Sequence, residues 1–95
     1  MSLSEVLDAL RDPTRREIIL RLSSQPRLCA TFGDLGSKTK MSYHFAKLRK
    51  AGLTQTQKQG TYRLISLRAH ALEKSFPGLL KAVLRGVSKE SIRQK

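Results

Sequence analysis

Thr39, Tyr43, Lys47 and Lys50 recur at intervals of three and four residues, with Lys40 beside them. On a helix, at about 100° per residue, these side chains share one stripe. Met41, Phe45 and Leu48 fall together on the opposite side; His44 lies on one flank, and Ser42 and Arg49 lie on the other. The exposed stripe offers ammonium groups, a hydroxyl and a phenol. Ammonium groups neutralise phosphates, whereas hydroxyls and phenols can meet the donors and acceptors on base-pair edges. One apolar stripe for anchorage and one donor stripe for contact are what a helix needs to enter a groove of a nucleic acid. A solvated surface helix is the plainer reading of the same lysines, so the surroundings must decide.

The charge distribution favours a polyanion. The chain carries 19 Lys+Arg against 7 Asp+Glu, a net charge of +12, which suits nucleic acid or an anionic membrane surface. Residues 37–68 contain no carboxylate but include Lys38, Lys40, Lys47, Arg49, Lys50, Lys58, Arg63 and Arg68. Ordinary solvated surfaces mix the two signs. A membrane-surface binder would use a long basic amphipathic helix, whereas this basic helix has only three large apolar residues, Met41, Phe45 and Leu48. The five aromatics (Phe32, Tyr43, Phe45, Tyr62 and Phe76) are thin for a platform that stacks unpaired bases. Double-stranded DNA is the partner these features describe.

Other chemistries find little support. There is no paired-carboxylate site, no glycine-rich phosphate loop, and no Ser/His/Asp or Cys/His grouping at a working spacing, so no enzyme is expected. Cys29 stands alone, which excludes an intramolecular disulfide and a cysteine-rich zinc site. It reads either as a small apolar residue of a buried strand or as a thiol switch activated by nearby cations. His70 and Glu73 are spaced i, i+3 and could share a helical face, but two ligands per chain are too few for a metal, though a symmetric dimer could double them; Asp34 adds only a carboxylate near Cys29. No metal and no cofactor are expected. No apolar run reaches about 18 residues, and the N-terminus lacks the basic start and apolar centre of a secretory signal. A cytoplasmic protein is the expectation.

The elements that position the donors can be read from local signals. Ser2 and Glu5 have capping-box spacing and open a short helix with Leu3, Val6, Leu7 and Leu10 on one face. Asp12 caps a second helix with Pro13 at its first position, running to about Leu22 with Ile18, Ile19 and Leu22 inward. Ser23-Ser24-Gln25-Pro26 breaks it. Leu28-Cys29-Ala30 reads as a short strand, and Thr31 as the cap of a brief helix closed by Gly36. The donor-bearing helix opens at residues 37–39 and ends at Ala51, with Gly52 in the C-terminal cap position. Residues 54–58 and 61–67 then alternate as two strands about a Gln59-Gly60 turn, a β-hairpin with Lys58 and Arg63 placed for phosphates. Helix resumes at His70, is interrupted at Phe76-Pro77-Gly78, and continues through Leu84. One domain over residues 1–86 and a basic, fraying tail over residues 87–95 are expected. The fold class is mainly α with a small β-hairpin, a winged helix-turn-helix.

Three segments resemble the ArsR-type regulators. Ala9-Leu-Arg-Asp-Pro-Thr-Arg-Arg-Glu-Ile18 resembles their second-helix signature. Met41-Ser-Tyr-His-Phe-Ala-Lys-Leu-Arg-Lys-Ala-Gly-Leu53 resembles their recognition helix, and Gly60-Thr-Tyr-Arg-Leu64 their wing. The resemblance covers about residues 5–85. It implies a homodimer that grips an inverted repeat through two recognition helices, usually as a repressor, with the first and last helices forming the dimer interface. DNA contacts then fall on Lys38, Thr39, Lys40, Ser42, Tyr43, His44, Lys47, Lys50, Lys58 and Arg63. His44 stands where such helices often carry a histidine, and either touches phosphate or packs on the flank. The dimer interface falls on Leu3, Val6, Leu7, Leu10, Phe76, Leu79, Leu80 and Val83, apolar faces that a small core would struggle to bury. The metal-sensing patterns of many members, a Cys-x-Cys pair or a His/Asp/Glu cluster on the last helix, are incomplete here. A winged helix without regulatory output, either an architectural nucleic-acid binder or a protein-interaction domain, is the alternative.

Overall fold

The structure is a computed structural model that describes residues 1–93. Helix α1 spans Leu3–Leu10; the Ser2 hydroxyl accepts from the Glu5 N–H at 3.3 Å. Helix α2 spans Pro13–Leu22, its first turn closed by an Arg15 N–H donated to Asp12 Oδ1 at 3.1 Å. Strand β1 is only Arg27–Leu28, followed by a 3-10 segment, Cys29–Leu35. Helix α3 spans Lys38–Lys50, strands β2 and β3 span Thr54–Gln59 and Tyr62–Leu67, and helices α4 and α5 span Ala69–Ser75 and Leu79–Arg93. The strands form one antiparallel sheet in the order β1-β3-β2.

The core gathers the inward stripe of each helix onto one face of this sheet. Val6, Ile18, Ile19, Phe32, Leu48, Leu53, Ile65 and Leu72 are all buried. Removing a side chain of this size from water stabilises by about 1.5–3 kcal/mol. Phe45, half-buried, meets the Phe32 ring edge-on at 5.6 Å between centroids, the arrangement that aromatic quadrupoles favour. This packing fixes the rotation of α3, and so determines which of its residues face outward.

Four local expectations need correction. The strand expected at residues 28–30 is displaced toward β1, because Cys29 and Ala30 already turn into the 3-10 segment. Thr31 lies inside that segment rather than at its start; its hydroxyl donates to Leu28 O at 2.7 Å while Phe32 enters the core. The hairpin turn is Gly60-Thr61, not Gln59-Gly60, since Gln59 pairs with Tyr62. Gly60 has φ +62° and Thr61 has no positive φ, the φ signature of a type II′ turn, whose twist matches the strands it joins. Finally, the helical part does not end at residue 86: α5 continues through Gly86 to Arg93. Glycine inside a helix costs about 1 kcal/mol, and burial of Val87 beyond it offsets that cost.

Candidate nucleic-acid interface

Helix α3 is bounded by its own sequence. Ser37 Oγ accepts from the Lys40 N–H at 3.2 Å, and Gly52 follows the helix with φ +88°, a conformation that side chains resist. Met41 and Leu48 are buried on the inner face. Lys38, Thr39, Lys40, Ser42, Tyr43 and Lys50 are exposed, with Tyr43 at 57%. The donor stripe read from spacing is therefore an outer surface. Lys47, Arg49 and Lys50 also sit in the last turn, where the helix dipole favours cations.

Two residues expected among the DNA contacts are engaged within the protein. Lys47 Nζ lies 3.2 Å from Asp8 Oδ2 of α1. The hydrogen bond from Lys47, with help from Arg11, holds the Asp8 carboxyl below its ordinary value. His44 Nδ1 lies 3.2 Å from Arg15 Nη1. A guanidinium can only donate, so Nδ1 is the acceptor in this contact. His44 is thus a flank residue rather than a member of the outer stripe.

Arg15, which the sequence reading passed over, organises this junction. It is 3% exposed. Its Nε donates to Ala9 O at 2.6 Å and its Nη2 to Asp8 O at 3.3 Å, while Arg16 Nη1 donates to Leu10 O at 2.9 Å. These carbonyls end α1; Asp8 O also accepts from the Arg11 N–H at 3.4 Å, while Ala9 O and Leu10 O take their donors from the two arginines. The arginine charge meets the negative end of the α1 dipole instead of a carboxylate. Arg15 therefore ties α1 to α3 through one side chain. The signal available in sequence was a second arginine in a helix start that needed only one solvated charge.

The wing supplies the second cationic element. Lys58 and Arg63 are directly opposite each other in the β2–β3 register and both are exposed. Among the described residues, no carboxylate forms an ion pair with either. Like charges directly opposite on a sheet repel, so the pair is suited to an anion from outside.

The comparisons match this geometry. Residues 10–57 match a helix-turn-helix domain family. The chain is 36% identical over 84 residues to the uncharacterized HTH-type transcriptional regulator YceK of Bacillus subtilis (strain 168), covering 84% of each protein. The chain belongs to the ArsR-type winged helix-turn-helix transcriptional regulators. The crystal structure of an ArsR family transcriptional regulator superposes with a TM-score of 0.69 at 23% identity, over 98% of this chain and 92% of that one. The crystal structure of a possible transcriptional regulator for arsenical resistance gives a TM-score of 0.66 at 25% identity, over 94% of this chain and 84% of that one.

The remaining expected sites of this ArsR-type regulator lie as follows. Leu3 and Leu7 are 47% and 49% exposed on α1, and Phe76, Leu79, Leu80 and Val83 are half-buried. Val6 and Leu10 instead belong to the core of the protomer itself, at 0% and 7%, so the free face of α1 is narrower than the sequence suggested. His70 is exposed, and Glu73 Oε2 accepts from the Gly78 N–H at 3.3 Å, closing the bend before α5. Asp34 faces Arg21, at 2.9 and 2.7 Å, rather than Cys29. No group of three or more His, Cys, Asp or Glu comes together, and no helix is long and apolar enough to cross a membrane, among the described residues. Burial pushes the Cys29 thiol up, and Arg63 and Arg49 only partly oppose it; that is the reverse of an activated thiol.

Proposed function

We propose that the protein acts as a homodimer that binds an inverted-repeat operator in double-stranded DNA and represses transcription by occupying it. The observation that carries this reading is the exposed donor stripe of α3, adjoining a wing whose Lys58 and Arg63 form no ion pair with a carboxylate among the described residues. In this reading Thr39, Ser42 and Tyr43 approach base edges in the major groove. Lys38, Lys40, Lys50, Lys58 and Arg63 neutralise phosphates, Lys47 joins them when Asp8 releases it, and His44 approaches the backbone from the flank. Phosphate contacts set affinity and register, and base contacts set sequence preference. Leu3 and Leu7 of α1 with Leu79, Leu80 and Val83 of α5 form the dimer face, placing two recognition helices for one repeat. The architectural alternative fits less well, because a stripe mixing hydroxyls and a phenol with lysines offers more than charge.

Selection of bound sequences from random duplex DNA tests the reading directly. An inverted repeat should be enriched, with half-sites about one helical turn apart. Sedimentation should give twice the 10.7 kDa chain mass, and Leu7→Glu should yield a folded monomer that loses the repeat but retains weak binding to any duplex. Absence of enrichment would favour the architectural module, and a monomeric parent chain would remove the symmetric operator.

A further inference from the structure

Between α3 and the wing lies an open cleft of about 870 Å³, within the range of small-molecule sites. Its inner wall is apolar and includes Leu28, Cys29, Met41 and Phe45; Arg49 of α3 and Arg63 of β3 stand on its two sides. Both guanidiniums are close enough to act on the Cys29 thiol, and neither forms an ion pair with a carboxylate among the described residues. A DNA phosphate can neutralise either arginine from outside. The backbone of a duplex, however, cannot fill an apolar recess. The two features together ask for an occupant that combines one anionic head with a hydrophobic body.

We propose that this cleft binds a small organic carboxylate with an apolar body, the carboxylate held between Arg49 and Arg63 and the body covering Leu28, Cys29, Met41 and Phe45. Planar guanidiniums match carboxylate geometry, and charge-assisted bonds of this kind strengthen beside an apolar wall. On the reading of Arg63 as a phosphate contact, such a ligand displaces DNA and makes the cleft an inducer site. Binding of the ligand itself does not depend on that reading.

The test uses the full chain without DNA and decanoate as the probe. Cys29 is the sole cysteine, so its alkylation by a maleimide reports on the cleft alone. Decanoate should slow that reaction saturably, by fivefold or more. Acetate, which has the charge without the body, and decan-1-ol, which has the body without the charge, should each bind at least tenfold more weakly. Arg49→Gln/Arg63→Gln should weaken decanoate binding by about tenfold or more by calorimetry. Lys81→Gln/Arg85→Gln, which removes equal charge from α5, should leave it intact. Equal loss in both double variants would reduce the effect to general attraction by a basic protein and overturn the proposal. Binding without protection of Cys29 would overturn it as well. If Arg49→Gln/Arg63→Gln lost duplex binding yet bound decanoate normally, the DNA reading would stand and the cleft proposal would fall.

Discussion

Lys58→Ala separates the two roles assigned to the wing, because its effects on DNA binding and on folding should have opposite signs. Lys58 faces Arg63 directly across the hairpin, with no carboxylate paired to either among the described residues. Each phosphate contact on duplex DNA contributes about 0.9 to the slope of log affinity against log salt. A dimer carries two wings, so the variant should flatten that slope by about 1.8. Between 50 and 200 mM salt, its deficit relative to the parent should therefore shrink by about twelvefold. The loss should be equal for operator and random DNA, since a phosphate carries no sequence information. Removing one of two opposed like charges should meanwhile stabilise the hairpin by a few tenths of a kcal/mol, raising the melting temperature by about 1–4 °C at low salt. The assays are fluorescence anisotropy across a salt series on both DNAs, and thermal unfolding of the free protein. An unchanged slope with a loss confined to operator DNA would place Lys58 on a base edge and refute the division of labour. A change near 0.9 would mean that only one wing engages.

Asp8→Asn removes the carboxylate that holds Lys47 at 3.2 Å; DNA binding should strengthen, and the salt slope should steepen by up to about 0.9 per protomer. Weaker binding at an unchanged slope would show instead that the ion pair positions α3. Arg15→Met should leave Ala9 O and His44 Nδ1 without their donor, at a cost of about 3 kcal/mol. That corresponds to a fall in melting temperature of about 12–24 °C; a fall below about 3 °C would show that solvent replaces the guanidinium. The Asp34 carboxyl is held below its ordinary 3.8 chiefly by Arg21. The unfolded chain therefore takes up that proton first as pH falls, so the stability it contributes is present above about pH 5 and is lost through 3.8 and below. In urea titrations the difference between the parent and Asp34→Asn should narrow over that window, and a difference that widens on acidification would contradict the assignment.

The sequence alone determined those features whose causes are local. Ser2, Asp12 and Ser37 each place a side-chain acceptor at a helix start, and Gly52 supplies a positive φ after α3; such signals act within one turn of the chain and need no tertiary partner. The outward Tyr43 and the inward Met41 and Leu48 followed from helical period. The hairpin followed from alternation, although its turn fell one residue later than composition suggested, because cross-strand pairing sets the register. What only the tertiary structure decided lies in contacts across the chain. Asp8 takes Lys47 from 39 residues away, and Arg15 meets His44 across 29. No periodicity records which lysine of a basic stripe will find a carboxylate, nor that an arginine will be buried against the end of a neighbouring helix. The continuation of α5 past Gly86 has the same origin, since burial of Val87 rather than local propensity sustains it. The cleft between α3 and the wing, too, exists only once packing has set Arg49 and Arg63 on either side of one apolar wall.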